Sequence, residues 1–223
     1  MDTVRVDRRE LLQFMNSGDK EANGHHTAIT GFMGEPLAVG LILHYLRSQG
    51  KPAELVSWKV TPGTRKGSRL DAWIHDGEGT LYQTEIKMWA GNAIGGLRLK
   101  DGLTPEELLQ RGQKQWLERV WSATEQAFHA PQVGKVLDVM TLPPSIHPER
   151  VEPLLCLWWL VAPDEKAGAW FTLPLREGQH PPFEQVHVFS LTRYLMELTE
   201  DILELEMPQL SERRNWLERL FPA

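Results

Sequence analysis

Cysteine is nearly absent: Cys156 is the single one in 223 residues, so no internal disulfide and no cysteine-based zinc framework is possible. Its place in the apolar run at residues 154–162 (LLCLWWLVA), without a partner, points to a reducing compartment. Long apolar runs are missing too. No uninterrupted stretch approaches the ~20 residues that a membrane helix needs, and the opening MDTVRVDRRE lacks the apolar core of a signal peptide. The expectation is a cytoplasmic protein with no membrane segment. Positive charge is in deficit, with a net charge of -6, which argues against a protein that coats nucleic acid by bulk electrostatics but leaves an enzyme acting on it open. Neither phosphate-loop pattern occurs, since the glycine cluster at 91–96 (GNAIGG) has the wrong spacing for both. There is no internal repeat and no low-complexity segment.

The 41% hydrophobic content is enough for one well-filled core, and the chain is expected to form a single domain over residues 1–223. The most informative stretch is 69–89. Two apolar-rich runs, 69–75 and 80–89, flank Asp76-Gly-Glu-Gly79, a hairpin signal. Side chains alternate along a strand, so Glu85 and Lys87 share one face and Ile86 takes the other. If Asp71 on the partner strand faces the same way, two carboxylates and an ammonium converge. That set suits a hard divalent cation beside a water molecule and a phosphate.

The rest of the chain supplies the frame. A short helix follows Asp7, then a polar link over 18–27. Residues 31–50 form a mostly apolar, buried helix. Pro36 places Glu35 at or just before the start of that helix, as a second acid aimed at the hairpin or a carboxylate favoured by the helix dipole. Residues 54–61 alternate as a strand. Arg65, Lys66 and Arg69 form a basic loop leading into Asp71, against the global sign of charge. Thr104, Pro105 and Glu107 make a capping box for a helix to about Phe128, with Leu109, Gly112, Trp116, Val120, Ala123 and Ala127 inward and Lys114 among its outer cations. After a loop-rich region with a short element near 136–142, the run 154–162 reads as a strand buried on both faces. Strands at 170–175 and 186–189 follow. Ser190 caps a helix through Leu191, Leu195, Leu198, Ile202 and Leu205, within which residues 196–206 are one acidic helical segment. Pro208 ends that helix, and a last one starts at Ser211.

This order of helix, three strands, helix and strand, with Asp71 on the second strand and Glu85-Ile-Lys87 on the third, resembles the PD-(D/E)xK nuclease superfamily. The resemblance spans about residues 31–162, with 163–223 as decoration. Leu70 stands where the family pattern has proline, and no tyrosine lies four residues beyond Gln113. The resemblance implies a mixed α/β fold: a restriction-endonuclease-like central mixed sheet flanked by helices, with extra helices at both ends. It also implies a Mg2+-dependent nuclease, with Mn2+ as a substitute ion, hydrolysing nucleic acid, preferentially DNA. Asp71, Glu85, the carbonyl of Ile86 and Glu35 would bind the ion. Lys87 would orient the attacking water, and Arg65, Lys66, Arg69 and Lys114 would contact phosphates. The alternative is an inactive nucleic-acid- or protein-binding module of the same fold, in a defence or repair complex. The acidic balance leaves room for a homodimer or a protein partner.

Overall fold

A computed structural model of the chain describes residues 3–16, 23–58, 70–87 and 104–220. The chain opens with a strand, β1 (Thr3–Asp7), and a helix, α1 (Arg8–Asn16), whose first amides at Arg9 and Glu10 donate to the Asp7 carboxylate. The long helix α2 spans Asn23–Ser48. The polar stretch expected as a link is therefore partly helical, and Glu35 sits inside the helix, not at its start. Pro36 removes one i→i−4 hydrogen bond but does not break the helix. The burial of Leu37, Ala38, Val39, Leu41, Ile42 and Leu43 outweighs the local bias of the residue before a proline.

Strand β2 (Glu54–Ser57) leads to β3 (Ala72–His75) and β4 (Thr80–Lys87), which form the hairpin expected from the sequence. Its turn uses Gly77 and Gly79 at φ +79 and +93, the left-handed region that side chains rarely adopt. The capping box at Thr104 is present and opens α3 (Pro105–Gln115). That helix does not run to Phe128. Helical periodicity lasts through Trp116 and Val120, both fully buried, over a π-helical turn at Trp116–Val120, but Ala123 is exposed. The chain instead folds into a small hairpin, β5 (Trp121–Ser122) and β6 (Ala127–Phe128), with Trp121 packed on Trp116 and Phe128. A short helix α4 (Pro131–Gly134) and a 3-10 turn (Lys135–Leu137) follow.

Strand β7 (Arg150–Leu157) contains most of the apolar run, while residues 158–162 leave the sheet and stay mostly buried. β8 (Trp170–Pro174) and β9 (Gln185–Ser190) complete a six-stranded mixed sheet of order β2-β3-β4-β7-β9-β8. β4, β7 and β9 run parallel, and the outer pairings are antiparallel.

Ser190 does cap a helix, its hydroxyl oxygen accepting from the Arg193 amide, but α5 ends at Glu197 (Leu191–Glu197). Ile202–Glu206 is a strand, β10, antiparallel to β1. Leu203 and Leu205 alternate inward while Ile202 and Glu204 are exposed. The leucines that seemed to follow helical spacing satisfy a period of two. Residues 196–206 are thus not one acidic helix. Pro208 does not end a helix but opens α6 (Pro208–Leu220).

The two faces of the sheet bury separate cores. On one, Ala72, Ile74, Tyr82, Ile86, Leu154, Cys156 and Phe189 pack under α2, α5 and β10. On the other, Leu155, Leu157, Val186 and Val188 pack under Trp116, Val133 and Val136, with Trp73 and Leu81 beside them. α2 passes so close to β10 that a Cβ at Gly40 would lie 3.2 Å from the Glu206 carbonyl oxygen.

Candidate functional site

Ala72 pairs with Thr84 across the hairpin, so the antiparallel register sets Asp71, one residue before β3, opposite Glu85. Alternation then assigns Asp71, Trp73, Gln83, Glu85 and Lys87 to the face away from α2. The expected convergence of Asp71, Glu85 and Lys87 is what the backbone produces. Asp71 Oδ2 accepts the Ile86 N–H at 2.7 Å. Ile86, expected to offer its carbonyl to an ion, is linked to the site here through its amide.

Glu85 is fully buried. Its Oε1 accepts from the Lys87 ammonium and, at 2.8 Å, from the Lys135 ammonium. Its Oε2 is buried with no hydrogen-bond partner. Burial, then the Asp71 charge, pushes the Glu85 carboxyl up to about 6, against the pull of both lysines. Burial likewise raises Asp71, opposed by the Ile86 amide and the two lysines. These acids are held where their charge is costly, and a further cation would relieve both.

Glu35 approaches from α2. Its side chain keeps exposed surface, yet desolvation and the Asp71 charge raise its pKa, while Arg213, Lys135 and Lys87 lower it. Three acids and three cations therefore act within one electrostatic neighbourhood. Arg213, on α6, lies over the Phe32 ring at 5.3 Å.

Among the described residues, no three His, Cys, Asp or Glu side chains gather as a group able to hold a metal ion. Glu35 is thus not drawn into a three-acid ligand set. The donor set that fits a hard divalent cation is the pair Asp71 and Glu85, both oxygen donors, with the partnerless Oε2 as the position that such an ion would satisfy.

Of the expected phosphate contacts, Lys114 is an exposed α3 side chain 3.8 Å from Glu118 one turn on. Arg65, Lys66 and Arg69 lie outside the described residues, as does the glycine cluster at 91–96. Sequence reasoning missed Lys135 and Arg213. Lys135 comes from a four-residue helix and a 3-10 turn with no periodic signal, and Arg213 lies 126 residues beyond Lys87 in the chain; neither carries a spacing pattern.

Comparison with known proteins finds no match for this chain among family models, curated proteins or solved structures. Among the described residues no helix is long and apolar enough to cross a membrane.

Proposed function

We propose that the chain is a metal-dependent nuclease of the restriction-endonuclease-like kind, cleaving phosphodiester bonds of nucleic acid, with DNA the favoured substrate. The observation that carries this is the buried, partnerless Oε2 of Glu85, set opposite Asp71 with two ammonium groups alongside. The mixed sheet supports it, because a hairpin carrying the acids is followed by a helix and a strand parallel to β4.

Asp71 and Glu85 would hold Mg2+, and the bound ion supplies an acidified water and charge neutralisation at the phosphate. Asp71 is kept in place by the Ile86 amide, so its carboxylate is oriented before any ligand arrives. Lys87 is largely buried at the end of β4. Its ammonium would orient a water and offset charge growing on the phosphoryl oxygens. The basic loop at Arg65, Lys66 and Arg69 would position the strand through phosphates without reading bases.

The test is incubation of the purified protein with plasmid, linear and single-stranded DNA and with RNA, in Mg2+, Mn2+ or EDTA. Cleavage should require the ion. Lys87→Ala should keep ion binding and nucleic-acid binding and lose about 100-fold or more in cleavage. Asp71→Ala should lose ion binding and cleavage together. Equal cleavage by wild type and the Lys87 variant would refute the role given to Lys87.

One observation favours a second reading, a binding module without chemistry: the two lysines already neutralise Glu85 through Oε1. That reading takes over if wild type binds no divalent ion and cuts none of the four substrates.

A further inference from the structure

Gln83, Glu85 and Lys87 stand in one row on the same face of β4. Gln83 is buried, and its amide nitrogen donates to the carbonyls of Val136 at 2.5 Å and Asp138 at 2.9 Å. Val133, Val136 and Leu137 are buried in the same core as Leu155 and Leu157. Residues 133–138 are therefore fastened to the strand next to Glu85, and Lys135 reaches Glu85 from a fixed backbone, with only 29% of its side chain exposed. A lysine that merely decorated the surface would not need a buried glutamine two residues from its partner to hold its segment.

We infer that Lys135 is the second ammonium of the site. Resting on the metal-dependent reading above, it holds Glu85 when no divalent ion is present and turns to a substrate phosphate when one is. Two properties follow from the geometry. Lys135 competes with the ion for the same carboxylate, so it weakens ion binding. Released by the ion, its ammonium becomes a phosphate contact with no sequence preference.

The test is calorimetric titration of Mn2+ into wild type, K135M and K135R without nucleic acid, at mildly alkaline pH, with thermal melts to verify folding. K135M should bind Mn2+ about tenfold more tightly or better, as expected when one elementary charge is removed from beside a divalent ion in partly screened surroundings. K135R, which keeps the charge, should stay within about twofold of wild type. Binding of a DNA duplex in Ca2+ should lose about 0.9 from its slope of log affinity against log salt in K135M, the share of one phosphate contact. Equal or weaker Mn2+ binding by K135M, tighter binding by K135R, or an unchanged salt slope overturns the inference and leaves the nuclease reading standing. Wild type that binds no Mn2+ overturns both. If K135M does not fold, K135Q, which also lacks the charge, takes its place with the same two expectations and the same overturning results.

Discussion

Asp76 and Glu85 are both fully buried carboxylates, and their surroundings push them in opposite directions. Burial opposes ionisation of Asp76, but the Lys51 ammonium at 2.9 Å and the amides of Thr80 and Glu78 more than offset it, and its pKa falls from 3.8 to about 2. The folded state thus binds this proton less tightly than the unfolded state. Its contribution to stability is complete above about pH 4 and is lost as pH falls towards about 2. At ~1.4 kcal/mol per unit, that amounts to about 2 kcal/mol, less whatever solvent screens at the partly exposed Lys51. Asp76→Asn keeps an acceptor oxygen and discards the charge. Denaturant unfolding at a series of pH values should show the variant less stable at neutral pH, with its deficit shrinking between about pH 4 and 2. A deficit that stays constant over that range would remove the ion pair as its cause. Glu85 has the opposite sign: its raised pKa makes ionisation a cost to folding that grows as pH rises from about 4.5 and is complete above about 6. One acid ties down the turn of the hairpin, and the other stores a demand for positive charge at its open end.

At the scale of elements, the hairpin and the segment it carries determine what the site is. Gln83→Leu removes both donors to residues 136 and 138 while keeping an apolar side chain at a buried position. It should cost about 1–3 kcal/mol and speed amide hydrogen exchange across residues 131–140 more than across β7. Uniform exchange changes over the whole molecule would show that Gln83 does not act on that segment. The hairpin was legible in the sequence because Asp-Gly and paired glycines force a turn and the flanking runs alternate. Whether Asp71 faced the same way as Glu85 stayed a condition in the sequence, and the pairing of Ala72 with Thr84 met it. Lys135 was not legible: its partnership depends on a crossing between residues 50 apart in sequence, and nothing in its neighbours has a period. The long helical reading of 104–128 and that of 190–205 failed for one reason. Leucines, tryptophans and alanines spaced three or four apart also fit a turn followed by an alternating strand, and the arbiter is burial against a distant partner, as when β10 finds β1.

Across the whole molecule, the acidic balance is less free than the sequence suggests. Asp201 is bound by Arg8 and Arg9, Glu206 by Arg47 and Glu197 by Arg193, so much of the negative charge of residues 197–206 is matched locally. The ribbon of β1 and β10 spreads over α2, with Leu203 and Leu205 buried beneath it and Val4 and Val6 packed at the margin. Removing residues 1–7 should strip β10 of its partner, lower the melting temperature and increase binding of a dye that reports exposed apolar surface. Unchanged melting would mean that the ribbon does not support the core. The register of this ribbon, Thr3 with Glu206, also fixes an order of events during synthesis. At ~5–20 residues per second the first strand leaves the ribosome roughly 10–40 s before its mate exists. For that interval Val4 and Val6 have no strand to pair with, and α2 waits with its apolar flank open. A ribosome stalled before residue 202 therefore delivers a protein that contains every residue of the candidate site on β4 yet lacks the strand that closes over its core.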